Sequence, residues 1–344
     1  MWNRIFGKIV FVILLFFTSV WLIHYFIDFI PGTYADFKDP LESNEEIIQQ
    51  KERFPIFYFS LIPNKEEQIT FDQKNFFNPK WNGSQNAFHQ TISSLVQGNF
   101  GKSLVDDAPV LQKIKSAIVW TLSIQIPHYL LLFFIAIYFG KYSTLYNHGV
   151  IKLTKEVLLA LHSIPLFWLA SILLLLFSTQ LFYLPNSFMN IADQNPFLAW
   201  IQYPQYFILP LLSMILPSIS YVSRLYGEGL IKAMQSSFWI RAMSTGNSNN
   251  YLLETEAKPH AMIAIYAWLI GTIPSLIVGS LIIENLFAIP GMGRLLFHSI
   301  AIRDWPVVKV MLMLISFVSL IGYLISDFAI KKLDPRLNHK NEGI

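Results

Sequence analysis

The chain has 344 residues, of which 53% are hydrophobic and only 14% are charged, and its formal net charge is +3. So few charged residues cannot cover a soluble domain of this size, and so small a net charge gives no support to nucleic-acid binding. The absence of cysteine excludes disulfides, a thiolate nucleophile and any metal site built on cysteine.

The apolar residues fall in blocks of about 20, the length that crosses a hydrocarbon core about 30 Å thick. The first block, residues 9–30, follows Arg4 and Lys8 and so resembles a secretory signal. It is about twice as long as the apolar region of a signal peptide and lacks a small-residue cleavage site, so we predict a retained span. The six predicted spans are 9–30, 117–139, 157–182, 207–226, 262–286 and 307–330.

Basic residues indicate the orientation, because they accumulate in short cytoplasmic loops. With the N-terminus inside, the external loop 185–206 has no basic residue and the external loop 287–306 has only Arg294 and Arg303. The predicted cytoplasmic side carries Arg4, Lys8, Lys141, Lys152, Lys155, Lys232, Arg241, Lys258, Lys331, Lys332, Arg336 and Lys340. We therefore predict an all-α, polytopic membrane protein with six transmembrane helices and both termini in the cytoplasm.

The long segment 31–116 lies outside in this topology. It is polar, but its scattered aromatic residues argue against disorder, so we predict a small folded cap. Near its end, G-N-F-G-K-S (98–103) resembles a phosphate-binding loop, but the first glycine of such a loop is replaced by Val96 and the segment is external, away from ATP. The predicted divisions are 1–30 for the start and first span, 31–116 for the cap, 117–336 for the core and 337–344 for the tail.

The segment 227–260 is the long loop on the predicted cytoplasmic side. Its first part has apolar residues at helical spacing, and Gly246 with a run of small polar residues then interrupts the pattern. Because glycine adopts left-handed backbone angles without a Cβ clash, we predict a helix–glycine–helix elbow over residues 228–257. An amphipathic helix on the membrane surface is the alternative, but the glutamates of the segment would then face anionic lipid. A surface that binds a soluble partner fits better.

Catalytic motifs are missing from the sequence, which has neither H-E-x-x-H nor G-x-S-x-G. No catalytic residue, metal site or cofactor is therefore predicted. Glu284, near the external end of the fifth span, either lines a substrate pathway or caps the turn before Pro290 and Gly291. The structural role is slightly favoured.

Short motifs are distributed along nearly the whole chain. They are F-I-P-G-T-Y-A (29–35), G-N-F-G-K-S-L-V-D-D-A-P-V (98–110), S-I-P-L-F-W (163–168), L-F-Y-L-P (181–185), Y-F-I-L-P (206–210), I-E-N-L-F-A-I-P-G-M-G-R-L-L (283–296), R-D-W-P-V-V (303–308) and K-L-D-P-R (332–336). In order and spacing they resemble the B-type permease subunits of oligopeptide and dipeptide importers, in the binding-protein-dependent class. The last three motifs are the most specific.

The resemblance implies a type I ABC importer permease fold in the bacterial inner membrane. It implies that the elbow is a coupling helix seated in a cleft of an ATPase subunit, with the ATPase-coupling residues Phe238, Trp239, Arg241, Ala242, Gly246 and Leu253. It also implies an external gate or pathway region that contains Glu284, Pro290, Gly291, Gly293, Arg294 and Asp304. Met243 and Thr245 stand where the family has basic residues and Glu256 where it has His, which predicts an altered ATPase cleft or weaker coupling.

The implied partners are a second, C-type permease subunit, two ABC ATPase subunits that hydrolyse ATP, an extracytoplasmic substrate-binding protein and membrane lipid. The predicted function is ATP-driven peptide import through a pathway shared by the two permeases. A permease for another solute, such as a nickel chelate, and a secondary transporter are the alternatives, although no convincing internal repeat supports the latter. A membrane enzyme would need a titratable cluster, and a structural assembly factor would not explain the ordered C-terminal motifs.

Overall fold

The computed structural model describes residues 2–29, 59–60, 80–81, 86–146, 148–181 and 183–333. Of the predicted cap, only 59–60, 80–81 and 86–116 are therefore described, and the predicted tail 337–344 lies outside the described residues. The chain divides into two compact units. The first comprises Met1–Lys115 and Leu296–Phe317, and the second comprises Ser116–Leu295 and Val318–Ile344.

The described secondary structure is helical apart from two short strands, β1 (Phe59–Ser60) and β2 (Lys80–Trp81), which pair antiparallel. The helices are α1 (Trp2–Phe29), α2 (Ala87–Val96), α3 (Val110–Leu145), α4 (Gly149–Ser163), α5 (Leu166–Leu174), α6 (Pro196–Gln202), α7 (Gln205–Met234), α8 (Ser237–Met243), α9 (Asn249–Leu252), α10 (Lys258–Gly271), α11 (Ile273–Val278), α12 (Leu281–Leu286), α13 (Met292–Ala301) and α14 (Trp305–Leu333). A π-helical turn extends α5 over Leu175–Gln180, a second one joins α9 to α10 over Leu253–Ala257, and a 3₁₀ turn covers Phe188–Ile191.

Four helices in the described part of the chain are long and apolar enough to cross a membrane. They are Gly7–Ile27, Val110–Leu145, Gln205–Met234 and Trp305–Ala329, and two bent helix pairs raise the number of candidate spans to six. The prediction of an all-α protein with several spans is confirmed. The third and fifth predicted spans differ in being bent rather than continuous.

Proline and glycine explain the two bends. The third predicted span bends by 107° between α4 and α5, where Ile164 is extended (φ −82°, ψ 132°) ahead of Pro165. A residue before proline is pushed out of the helical region by the proline ring. The fifth span bends by 47° between Gly271 and Ile273, and Gly279 (φ +73°) interrupts it again before α12.

Helix α7 is central to the core of the second unit. Small residues allow its neighbours to approach closely, as is common between membrane helices. A Cβ on Gly140 of α3 would lie 2.6 Å from the Ser223 carbonyl oxygen of α7, and one on Gly229 of α7 would lie 2.8 Å from the Cα of Ala261 on α10. These contacts fix α3, α7 and α10 as a packed set.

Within the first unit, α1 contacts residues of α14. The hydroxyls of Ser19 and Ser316 are 2.6 Å apart, and the rings of Phe16 and Phe317 meet edge to face at 5.7 Å. Hydroxyl pairs of this kind hold membrane helices together because hydrocarbon offers no other partner.

Candidate functional site

The elbow predicted for residues 228–257 is present in the structure. Helix α8 ends at Met243, Gly246 adopts φ +77°, and Ser248 caps α9 by accepting a hydrogen bond from the Tyr251 amide (3.4 Å). A Cβ at Gly246 would meet no atom within 4 Å. The left-handed backbone angle, and not crowding, is therefore what favours glycine at this position.

The inner face of the elbow belongs to the hydrophobic core of the second unit. Trp239 and Leu253 are each 7% exposed and Leu252 is 2% exposed. The half-buried Phe238 ring stacks on His260 with 4.3 Å between the ring centroids. Of the residues predicted to contact an ATPase, Trp239 and Leu253 therefore anchor the elbow to the membrane helices instead of facing outward.

The outer face of the elbow carries no charge at its tip, where exposed apolar side chains flank the exposed polar run 244–250. The exposed fraction is 66% for Ile240, 52% for Met243 and 56% for Tyr251. Of the predicted contact residues, Arg241 is also exposed and Ala242 is half-buried. No residue from 242 to 253 is charged. Ile240 was not predicted as a surface residue, although its three-residue spacing from Met243 places the two on one face of α8.

Glu284, at the end of the fifth predicted span, is buried at 3% exposure and caps another helix. Its Oε2 accepts hydrogen bonds from the amides of Gly293 (2.6 Å) and Arg294 (3.2 Å), in the first turn of α13. Its Oε1 accepts from the Thr121 hydroxyl (2.9 Å), whose oxygen accepts from the Met292 amide (2.8 Å). The side chains of Glu284 and Thr121 thus accept hydrogen bonds from the amides at the start of α13, which have no acceptor within the helix, and the Glu284 carboxyl group lies at the positive end of the helix dipole. We call this arrangement the clasp (Thr121, Glu284 and residues 291–294).

The clasp explains the glycines and the arginine of its motif. A Cβ on Gly291 would lie 2.6 Å from the Glu284 carboxyl carbon, and one on Gly293 would lie 2.6 Å from the Leu281 Cα. The Arg294 guanidinium donates to the carbonyl of Ala288 (2.5 Å), which has a φ of +55°. Five of the predicted gate residues therefore lie together in the second unit, between α12 and the start of α13: Glu284, Pro290, Gly291, Gly293 and Arg294.

Asp304, the sixth predicted gate residue, belongs to the first unit. It is 1% exposed, and it accepts hydrogen bonds from the Ser103 hydroxyl (2.5 Å) and the Leu104 amide (3.0 Å). The Lys113 amine donates to Ser103 Oγ at 2.8 Å and lies 4.0 Å from Asp304. The motifs at 98–110 and 303–308 therefore meet at a buried carboxylate, a contact that the sequence analysis did not predict.

Asp106 lies on the outer side of this cluster, 2.9 Å from the Lys113 amine. Partial burial raises the pKa of Asp106, but the hydrogen bonds from Lys113 and from the Ala108 amide outweigh it and hold the pKa below its ordinary value. The Lys113 amine therefore lies between two carboxyl groups. Among the described residues, no group of three or more His, Asp or Glu side chains is placed to hold a metal ion.

Residues 133–339 match a protein family described as the binding-protein-dependent transport system inner membrane component. That stretch includes α7, the elbow, α14 and the whole clasp except Thr121. The chain belongs to this family. It is therefore a multi-pass permease component of the bacterial inner membrane, and the family resemblance inferred from the motifs is confirmed.

Similar proteins are named as permeases for peptides or for glutathione. The chain is 26% identical over 253 residues to a probable peptide ABC transporter permease of Sinorhizobium fredii, covering 73% of this chain and 80% of the relative. It is 29% identical over 260 residues to a putative peptide transport system permease of Brucella suis, covering 73% and 79%. It is 26% identical over 260 residues to the glutathione transport system permease of Escherichia coli, covering 74% and 81%.

Proposed function

We propose that this permease forms, with a second and related permease subunit, the pathway by which an ATP-driven importer carries peptides into the cell. The relatives named for peptides and for glutathione support this cargo class. A peptide is too polar to cross lipid, so its path has to run between helices. An importer permease for another solute, such as a nickel chelate, has no comparable support among these relatives.

The broken fifth span is suited to lining such a path. Helices α10, α11 and α12 are interrupted at Thr272 and Gly279, and the Tyr129 hydroxyl bonds Ser275 Oγ beside the first break (2.6 Å). Irregular backbone at membrane depth is tolerated only inside protein or against a water-filled cavity. Discontinuous helices also occur in secondary transporters, but the family match favours the ATP-driven class.

The elbow carries the proposal that partner ATPases drive the cycle. It combines an inner face fixed in the core by Trp239 and Leu253 with an outer face that exposes Ile240 and Met243. Such a segment moves as one body with the membrane helices when a partner pushes on it. ATP hydrolysis takes place on the two partner subunits, and this chain supplies the contact through residues 228–257.

The chemistry of the elbow tip specifies the partner cleft. Residues 242–253 have no charge, and Met243 and Thr245 occupy positions that are basic in the resembling importers. We infer that the part of the ATPase cleft that receives this tip lacks the acidic groups that would bind a basic loop. Contact between neutral surfaces is little affected by salt screening.

The remaining predicted elements complete the cycle. An extracytoplasmic binding protein delivers the peptide to the cap (31–116) and the 287–306 loop, and both termini and the elbow lie in the cytoplasm. The clasp fixes the turn at residues 287–294 so that Glu284 frames the outer gate without binding substrate itself. Asp304 has the corresponding supporting role in the first unit.

Co-purification tests the proposal most simply. A tagged permease solubilised in mild detergent should bring down one second permease and two ATPase subunits, and the complex should persist when salt is raised from about 0.1 M to about 1 M. A Met243→Glu variant should lose the ATPases, while the buried anchor variant Leu253→Met should keep them. A permease that purifies alone under all of these conditions contradicts the proposal.

A further inference from the structure

An ion pair connects the elbow to α3 in the second unit. The Lys141 amine, near the C-terminal end of α3, lies 2.5 Å from Glu254 Oε1, and the two residues are 113 positions apart in the chain. The Lys258 amine lies 2.7 Å from Glu254 Oε2, four residues later along the same helical segment. Glu254 is therefore shared between a contact to another membrane helix and a local contact.

The backbone presents Glu254 to α3. Glu254 stands in the π-helical turn Leu253–Ala257, which begins directly after the elbow tip. Leu253 and Ala257 of this turn are buried at 7% and 0% exposure, whereas the Glu254 side chain is 45% exposed. π-Helical turns occur frequently at functional sites because they change the direction of side chains within a helix.

Lys141 lies beside a close contact between α3 and α7. Lys141 follows Gly140, whose backbone packs against the Ser223 carbonyl of α7, so α3 is held tightly to α7 at this level. The elbow therefore contacts α3 through Glu254 and Lys141, and the hydrophobic core through Trp239. These are two separate routes from one segment to the membrane helices.

We propose that Glu254 is a positioning residue that transmits movement of the elbow to α3 through Lys141. This inference rests on the proposed function of the elbow. The link joins a partner-binding segment to the second predicted span, so its loss should leave the partners bound while weakening the connection between ATP hydrolysis and uptake. Because both side chains are partly exposed, the expected effect is moderate.

The shared carboxylate provides a matched control. Lys141→Gln removes the contact to α3, whereas Lys258→Gln removes only the local pair between residues four apart, and each variant deletes one positive charge. In proteoliposomes containing the full complex and its binding protein, we measure ATP hydrolysed per peptide taken up. Lys141→Gln and Glu254→Gln should raise this ratio about two- to five-fold, the scale of a solvent-exposed ion pair, and Lys258→Gln should leave it unchanged.

Charge reversal distinguishes loss of this ion pair from a general loss of structure. Lys141→Glu alone should raise the ratio more than Lys141→Gln does, and adding Glu254→Lys in a Lys258→Gln background should return it to the Lys258→Gln value. The Lys258→Gln background avoids two lysines four residues apart. A Lys141→Gln complex with the wild-type ratio, or a reversed pair that stays uncoupled, overturns the proposal. If the wild-type complex itself hydrolyses no ATP, the proposed function fails instead.

Discussion

The carboxylate of Glu284 lies 2.6 Å from the amide of Gly293, nine residues later in the chain. The same side chain accepts a hydrogen bond from the hydroxyl of Thr121, 163 residues earlier, so three separate stretches meet at one buried carboxyl group. A buried carboxylate is costly unless hydrogen bonds replace its water, and here the start of α13 supplies them. The I-E-N-L-F-A-I-P-G-M-G-R motif thus encodes a helix cap.

Glu284→Ala should destabilise the protein strongly. It leaves the buried Gly293 amide and the partly buried Arg294 amide without their acceptor, and a buried amide left unpaired costs about 1–3 kcal/mol. Glu284→Gln keeps one acceptor oxygen for these amides and can turn its amide group towards Thr121, so it should lose less. Thermal unfolding in detergent should rank the unfolding temperatures as wild type, then Glu284→Gln, then Glu284→Ala. An alanine variant that unfolds at the wild-type temperature would show that the cap contributes nothing.

Gly291→Ala should prevent normal folding of the clasp. The added Cβ would lie 2.6 Å from the Glu284 carboxyl carbon and 2.7 Å from Thr121 Oγ1, and overpacking of this kind costs about 1–3 kcal/mol or more. Gly271→Ala is the control, because a Cβ there would meet no atom within 4 Å. The yield of monodisperse protein in detergent should fall for Gly291→Ala alone. Equal yields for the two variants are the contrary result.

Ser103→Ala should weaken the first unit. The Ser103 hydroxyl donates to Asp304 at 2.5 Å and accepts from Lys113 at 2.8 Å, and a hydrogen bond to a charged group contributes about 1.5–3 kcal/mol. Ser163→Ala is the matched control, since that exposed hydroxyl donates to the Leu159 carbonyl of its own helix. The unfolding temperature should fall for Ser103→Ala and remain nearly unchanged for Ser163→Ala. A larger fall for the control would refute the importance of this contact.

Gly246→Val should uncouple ATP hydrolysis from uptake. A β-branched residue is strained at φ +77°, by about 1–3 kcal/mol, and should distort the elbow tip. Gly246→Asn is the control, because asparagine tolerates left-handed angles better than other residues with side chains. The measurement is peptide uptake per ATP hydrolysed in the reconstituted complex. Wild-type uptake by a Gly246→Val variant that inserts and assembles normally would exclude this role for the elbow.

The sequence was sufficient to predict the long helices, because apolar block length is a local property. The predicted span 207–226 lies within Gln205–Met234 and 307–330 lies within Trp305–Leu333. The predicted span 117–139 is shorter than the helix Val110–Leu145. The end turns of this helix contain polar residues such as Lys113 and Lys141, so they fall outside the apolar block. The bend at Pro165 was not predicted because prolines in membrane helices are often accommodated without one.

The sites were harder to predict than the helices, because most of their geometry depends on contacts between residues far apart in the chain. Gly246 was predictable because a left-handed residue between two helical stretches favours glycine. A structural role for Glu284 as a cap was among the predicted alternatives. The sequence did not reveal that Glu284 caps α13, or that Thr121 shares in the cap, because both depend on contacts between distant parts of the chain. The separation of the elbow into anchored Trp239 and exposed Met243 likewise required the packing of the membrane helices. Both residues have the same apolar character in the sequence.

Uptake of labelled peptide into proteoliposomes tests the central claim most directly. The vesicles contain this permease, the second permease and the two ATPases, with ATP inside and the binding protein outside. We predict uptake that requires both ATP and the binding protein and is lost in the Gly246→Val variant. Uptake that proceeds without ATP and follows an imposed ion gradient would contradict the account and indicate a secondary transporter.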